Sequence, residues 1–274
     1  MDTKLRDAAF GLAVGDALGV PFEFQARDSF TCSGMASGGH HRQPKGTWSD
    51  DTSLTLATCY SLKEFGRIDL DYMMRCFRAW LWYGKFAINK NVFDVGGTCA
   101  LAINMGHGLQ REDRQGNGSL MRILPLAFLP DVTDQEIEAV SALTHDSTVC
   151  KSACVLYVRI AKDLLNGVSL EKSISDRVSA ESPFANLLQL KDKKESEISS
   201  SGHVLSTLEA ALWCLENTEN YRGCVLKAVN LGDDTDTVAA VAGGLAGILY
   251  GEKSIPREWI WQLRGKKIIK ECLF

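Results

Sequence analysis

The stretch Gly232-Asp-Asp-Thr-Asp-Thr-Val-Ala-Ala-Val-Ala-Gly-Gly-Leu-Ala-Gly-Ile-Leu-Tyr250 decides the fold. Val238, Val241, Leu245, Ile248 and Leu249 recur at helical spacing. Between them stand Ala239, Ala240, Ala242, Gly243, Gly244, Ala246 and Gly247, which carry little bulk. Glycine in a helix interior costs about 1 kcal/mol against alanine, so this composition calls for a compensating reason. Small side chains let neighbouring helices approach closely, which predicts a tightly packed central helix. Its N-terminus, with Asp233, Asp234 and Asp236, then lies deep in the molecule.

A second acidic start, Ser49-Asp50-Asp51-Thr52, precedes Leu54, Ala57, Thr58, Leu62 and Phe65, which share one helical face. Similar periodicity predicts helices around 4–19, 69–83, 96–108, 119–127, 134–142, 147–166, 203–216 and 221–230. Strand signals are few and short. The expectation is an all-α fold forming one domain over residues 1–274. Three segments break the pattern. Residues 28–47, rich in Gly, Ser and His, predict a surface loop, and residues 110–119 a polar loop. The charge run in 182–202 predicts a solvated or mobile connector.

The chain has 274 residues, 45% of them apolar, and a net charge of -4. That is a globular composition, and the charge gives no nucleic-acid signal. The nine cysteines include no C-x-x-C pair and read as buried thiols of a reducing compartment. Cys150 and Cys154, four apart on a predicted helix, read as packing residues, since no second pair completes a metal site. The apolar run from Ala8 to Val14 is broken by Asp16, so no signal peptide is evident. The run from Val238 to Tyr250 falls short of the ~20 residues a membrane span needs. A soluble, cytoplasmic monomer is expected.

Helix capping is the simplest account of the acidic clusters, because Ser, Asp and Thr favour caps and carboxylates suit a helix N-terminus. It explains one or two acids well, but not Asp50 beside Asp51, nor Asp233, Asp234 and Asp236 together. Carboxylates so dense repel one another unless a cation sits among them. Oxygen donors without His or paired Cys suit Mg2+ or Mn2+. The two clusters together therefore point to a two-metal site.

Such a site needs a further acid or base. Pro21 stops the first helix, and Glu23 follows between Phe22 and Phe24, where an apolar setting raises a carboxylate's pKa. An exposed loop residue is the alternative. Gly116-Asn117-Gly118-Ser119 precedes the predicted helix at Leu120; its free N–H groups suit an anion, although an Asn-Gly turn is common in itself. His145, in Thr144-His145-Asp146-Ser147, lies at a helix junction, where a satisfied structural role is the alternative.

These segments together resemble the ADP-ribosylglycohydrolase family. The pieces are Gly11-Leu-Ala-Val-Gly-Asp-Ala-Leu-Gly19, Gly46-Thr-Trp-Ser-Asp-Asp-Thr52, Gly116-Asn-Gly-Ser-Leu-Met-Arg122, Thr144-His145 and Gly232-Asp-Asp-Thr-Asp-Thr237. They keep the family's order and span nearly the whole chain. The resemblance implies an all-α fold around two Mg2+ or Mn2+ ions, held by Ser49, Asp50, Asp51, Asp234, Asp236 and Thr237. Asp233 stands where many relatives have Gly and is given no role. By the same resemblance Glu23 is a catalytic candidate, Gly116, Asn117, Gly118 and Ser119 hold a diphosphate, and His145 lines the ADP-ribose pocket. Asp94, in Phe93-Asp94-Val95-Gly96, matches a position near the scissile bond in arginine-directed members, where a carboxylate can pair with a guanidinium. The match ends at Gly96.

The implied reaction is hydrolysis of the glycosidic bond between ADP-ribose and a modified protein side chain or small molecule, with oxocarbenium character at the sugar. Glu23 or Asp50 takes the proton of the attacking water and Asp94 assists the leaving group. Two other readings stand beside it: a non-catalytic ADP-ribose-binding protein on the same fold, and a metal-dependent nucleotide phosphohydrolase.

Overall fold

In the computed structural model, which describes residues 3–274, no strand forms among the described residues, and extended pairing is limited to three isolated bridges. The helices are α1 (Thr3–Gly19), α2 (Asp50–Phe65), α3 (Leu70–Tyr83), α4 (Gly97–Met105), α5 (Asp134–Ala142) and α6 (Thr148–Leu165). They continue as α7 (Leu170–Arg177), α8 (Val204–Glu216), α9 (Tyr221–Asn230), α10 (Thr235–Tyr250), α11 (Arg257–Gln262) and α12 (Lys266–Cys272). The all-α reading is borne out.

The expected helix at 119–127 is two 3₁₀ turns, Leu120–Arg122 and Leu124–Phe128. Pro125 cannot donate the backbone bond an α-helix would need there. α7, α11 and α12 were not expected. Each spans eight residues or fewer, shorter than the window over which a helical period can be read. Phe65 and Leu249 continue the apolar faces of their helices but are 44% exposed, at the outer ends of those helices.

α10 is the central helix. Its small residues meet a matching set on the antiparallel α1. A Cβ added to Gly15 would stand 2.0 Å from the Ala239 carbonyl oxygen, and one on Gly243 would stand 2.5 Å from that of Gly11. On Gly19 it would stand 2.3 Å from the Asp236 Cα. The two backbones touch along their length, and no larger side chain fits between them. The Tyr221 hydroxyl donates to the Gly11 carbonyl (2.6 Å) and that of Tyr157 to Val241 (2.8 Å), pinning the pair from outside. This contact sets the end of α1 beside the start of α10, where the Thr235 hydroxyl donates to the Gly19 carbonyl (2.8 Å).

α2 is brought to the same place by Asp16. This fully buried carboxylate accepts from the Ser49 N–H (2.8 Å), the Thr52 N–H (3.0 Å) and the Thr52 hydroxyl (2.6 Å). An acid in the last turn of one apolar helix thus satisfies the open first turn of another.

Residues 182–202 are anchored rather than mobile. Leu187, Leu190 and Ile198 are buried, and the Arg27 guanidinium donates to the carbonyls of Glu195 (2.6 Å), Ile198 (2.5 Å) and Leu231 (2.9 Å). Lys193 pairs with Glu209, and the Trp213 indole donates to the Lys193 carbonyl (3.1 Å). The charges face solvent while the apolar positions between them fasten the segment to α8. All nine cysteines are free and buried. Among the described residues no helix is long and apolar enough to cross a membrane.

Candidate active site

The two acidic clusters meet where α1, α2 and α10 converge. Ser49 is the N-cap of α2: its hydroxyl accepts from the Asp51 N–H (3.3 Å) and donates to Asp51 Oδ2 (2.9 Å). The Thr237 hydroxyl reaches the same Asp51 oxygen at 3.5 Å. Carboxylate oxygens of Asp16, Asp51 and Asp236 lie within 4.8 Å of one another, and so do oxygens of Glu23, Asp234 and Asp236. Asp51 Oδ1 and Asp236 Oδ2 are buried and have no hydrogen-bond partner among the described residues.

Capping accounts for Ser49 but not for the second cluster. Asp234 occupies the N-cap position of α10, yet its side chain makes no capping bond. It accepts instead from the Asn117 amide at 2.7 Å. Burial drives the Asp50, Asp51 and Asp236 carboxyls well above the usual carboxylate range, and neighbouring carboxylates push them further. Asp234 is also raised by burial, against hydrogen bonds from Thr237 and Asn117 that favour its charged form. Orphaned oxygens inside an all-oxygen cluster are what a hard divalent cation would satisfy. The residues fit that cofactor.

A cavity of about 350 Å³ opens beside the cluster, with Glu23, Asp50, Asp94, Asn117, His145 and Asp234 in its wall. A larger one, about 870 Å³, lies by the start of α1 and α11, lined by Arg6, Lys253 and Trp261 among others. None of the clustered acids faces it, so the smaller cavity is the candidate active site.

Glu23 is buried, not an exposed loop residue, but its flanking aromatics are not the cause. Phe22 stacks on Phe30 at 4.8 Å, and Phe24 is 60% exposed. Glu23 Oε2 instead lies 2.5 Å from His41 Nε2, with Asp94 Oδ1 3.5 Å from the same nitrogen. Burial, then the charges of Asp94 and Asp234, push the Glu23 carboxyl up to about 10.

The Gly116–Ser119 turn divides in two. The Asn117 amide donates to Asp234 (2.7 Å) and to the Thr207 hydroxyl (2.8 Å). A Cβ on Gly118 would stand 2.7 Å from Cys99 Sγ and 2.8 Å from His145 Cε1, so glycine is required for the ring to reach the cavity. Ser119 turns away. It is fully buried, accepts from the Ser141 hydroxyl (2.9 Å), and is absent from the cavity wall. The turn leads into a three-residue 3₁₀ segment rather than an α-helix.

His145 is held from behind. The buried Arg122 guanidinium donates to the Thr144 hydroxyl (2.8 Å), which lies 3.0 Å from His145 Nδ1. A guanidinium only donates, so Thr144 accepts from it and keeps its own hydrogen for Nδ1. That favours the tautomer whose Nε2 carries the proton. Burial, then the Arg122 charge, lower the His145 pKa to about 3, keeping the ring neutral.

Asp233 is explained by backbone. Its φ is 63°, in the left-handed region that glycine fills freely and Asp tolerates. Its N–H donates to the Gln25 carbonyl (2.8 Å) and its carbonyl accepts from the Phe24 N–H (2.8 Å). It shapes the turn that carries Asp234. Three residues of the site were given no role by sequence: Asp16, His41 and Arg122. The first had a signal, an acid within an apolar helix; the third closes the Gly116–Arg122 motif; the second had none beyond its loop.

The sequence profile of the ADP-ribosylglycohydrolase family matches residues 1–273. An ADP-ribosylarginine hydrolase Tri1 of Serratia proteamaculans is 36% identical over 275 residues, covering 95% of this chain and 75% of the relative. An ADP-ribosyl-[dinitrogen reductase] glycohydrolase of Rhodospirillum rubrum is 31% identical, covering 93% and 88%. A solved ADP-ribosylglycohydrolase-related protein complex superposes with a TM-score of 0.81 at 27% identity, covering 98% and 95%.

Proposed function

The chain belongs to the ADP-ribosylglycohydrolase family and is a hydrolase of glycosidic bonds, and from that premise we propose that it releases ADP-ribose from ADP-ribosylated arginine with the help of two divalent cations, Mg2+ or Mn2+. One observation carries the metal half of this reading. Asp51 Oδ1 and Asp236 Oδ2 come from the two separate clusters, and both are buried without a partner. The holding residues would be Ser49, Asp50, Asp51, Asp234, Asp236 and Thr237, with Asp16 fixing the first turn of α2 behind them. Bound there, the cations would orient sugar hydroxyls and acidify a water.

The remaining roles fall to the chain's own groups. Asn117 holds Asp234 in place and, with Gly116 and Gly118, offers the polar wall for the diphosphate. His145 presents its Nε2 proton to the cavity. Glu23 takes the proton of the attacking water. Its raised pKa is a property of the cluster without cations, and positive charge beside Asp234 and Asp236 would draw it down. Asp94 faces the departing group; an acid in this wall suits a guanidinium, which it can meet with two N–H donors. Arginine as acceptor rests on that residue and on the named activity of the Serratia relative.

A release assay tests both halves. ADP-ribosylated arginine, serine and acetyl-ester substrates are incubated with the wild type and with Asp234→Ala, in EDTA, Mg2+ or Mn2+. The expected result is release of intact ADP-ribose from the arginine substrate, lost in EDTA and in the variant. Full activity of the variant in chelated buffer sinks the metal reading. Release from another acceptor alone sinks arginine, and free phosphate in place of ADP-ribose would mark a phosphohydrolase.

A further inference from the structure

The loop preceding α2 reaches into the site. Gly38 and Gln43 exchange backbone hydrogen bonds (2.9 and 3.2 Å), closing a tight hairpin around His40 and His41. Gly39 fits against Pro21 so closely that a Cβ would stand 2.3 Å from its carbonyl oxygen. The Asn91 amide donates to the Gln43 side chain (3.1 Å), tying the hairpin to the segment that carries Asp94. The His41 ring is steadied by Phe93 at 5.2 Å and His40 at 5.0 Å between ring centres. Its Nε2 lies 2.5 Å from Glu23 Oε2 and 3.5 Å from Asp94 Oδ1. Glu23 and Asp94 line the cavity and His41 does not.

We propose that His41 is a positioning residue: one imidazole nitrogen, standing behind the cavity wall, ties Glu23 and Asp94 together and fixes where both carboxylates point. This rests on the hydrolase reading above, in which Glu23 serves the water and Asp94 the departing group. Two carboxylates around one point repel each other. The Nε2 hydrogen, donated to Glu23 with Asp94 facing the same nitrogen, relieves that repulsion and orients the pair. Without it Asp94 is the side-chain neighbour left to Glu23, and the carboxyl would turn from the water toward solvent or toward Asp234 and Asp236. The hairpin's glycine packing and the Gln43–Asn91 bond bring that one ring to both acids.

The test uses the metal-loaded full chain and three variants: His41→Ala, His41→Gln and Glu23→Gln. Activity on the accepted substrate is split into kcat and KM, and ADP-ribose affinity is measured by calorimetry. His41→Ala should lower kcat by about a hundredfold, the cost of a misplaced group, with KM and ADP-ribose Kd unchanged. His41→Gln keeps an N–H at similar reach and should recover kcat to within about tenfold of wild type. In the Glu23→Gln background, His41→Ala should add less than about threefold, because the two act as one unit. An unchanged kcat in His41→Ala overturns the proposal. So does a rise in KM and Kd at constant kcat, which would mean that the loop only shapes the pocket. Equal loss in the Ala and Gln variants would also overturn it, by showing that the N–H is not what matters. If His41→Ala fails to fold, the Gln variant and its coupling to Glu23→Gln decide. A wild type that releases no ADP-ribose from any acceptor would sink the hydrolase reading and the His41 role with it, whereas an active wild type with an unaffected His41→Ala overturns the His41 role alone.

Discussion

Replacing Gly19 with alanine should disable the site through the fold. Gly19 has φ -76° and ψ -42°, an ordinary right-handed conformation, so alanine adopts it without strain. Its local preference is even favourable, by about 1 kcal/mol within a helix. The obstacle is α10. The new Cβ would stand 2.3 Å from Asp236 Cα and 2.4 Å from its nitrogen, where ordinary contact begins near 3.4 Å. These are backbone atoms and cannot swing aside, so the first turn of α10 must retreat by about 1 Å. Overpacking of this kind costs about 1–3 kcal/mol. The retreat moves Asp236 and Asp234 away from Asp51, and a 1 Å misplacement in a catalytic set costs about a hundredfold in rate. Thermal melts and ADP-ribose release, with and without Mg2+, read both effects. Gly223→Ala in α9 is the control, since its Cβ would meet nothing nearer than 3.4 Å. Full activity and an unshifted Tm in Gly19→Ala would refute the claim that close backbone approach builds the site.

Other consequences follow from single atoms. Asp16→Ala strands two N–H donors and a hydroxyl at the start of α2; it should cost roughly 3 kcal/mol of stability even in EDTA, measured by denaturant melts. Asp236→Ala removes a crowded buried carboxyl with one unpartnered oxygen at the cost of the Thr237 N–H bond, so in EDTA its Tm should stay near that of the wild type, while the Tm gain that Mn2+ gives the wild type is lost. Without cations the buried acids hold protons that the unfolded chain has lost, so stability in EDTA should fall as pH rises from about 4. The fall runs through the folded-state values, about 7 for Asp16 and well above the usual range for Asp50, Asp51 and Asp236; a flat melt profile from pH 4 to 8 in EDTA counts against the cluster. His145 acts oppositely: it stays neutral down to about 3, while the unfolded imidazole protonates near 6.5. Stability is therefore lost as pH falls through that window, and His145→Asn should remove about 1.4 kcal/mol per pH unit of slope in the difference between variant and wild type.

The legible parts of this protein are those where one segment carries its own explanation. The small-residue composition of 238–250 announces a helix that others must touch, and the structure meets it with Gly11, Gly15 and Gly19 on α1. The density of acids at 49–52 and 233–237 announces more than capping, and Asp234 indeed sits at an N-cap without capping. What stays illegible depends on a partner distant in the chain. Asp16 is one acid in an apolar run until Ser49 and Thr52 are seen to need it. His41 is one of several polar residues in a loop until the hairpin turns it onto Glu23. Ser119 belongs to a motif, yet the 3₁₀ turn at Leu120 rolls its hydroxyl into the core. Asp233 looked like a surplus charge because its meaning is a φ angle, which no side-chain pattern displays.

The same physics explains why fold and site cannot be varied separately here. The end of α1 and the starts of α2 and α10 each leave backbone groups unpaired. In most helical proteins such ends face water. Here the α1–α10 contact draws these three ends together, and the Asp16 carboxylate, the Thr235 hydroxyl and the Ser49 cap consume their free groups. Asp236 spends one oxygen on the Thr237 N–H (2.9 Å) and Asp51 one on the Ser49 hydroxyl, and each keeps a second oxygen with no partner among the described residues. A close-packed glycine seam therefore has a chemical product, a buried cluster of acids that the polypeptide alone leaves unsatisfied.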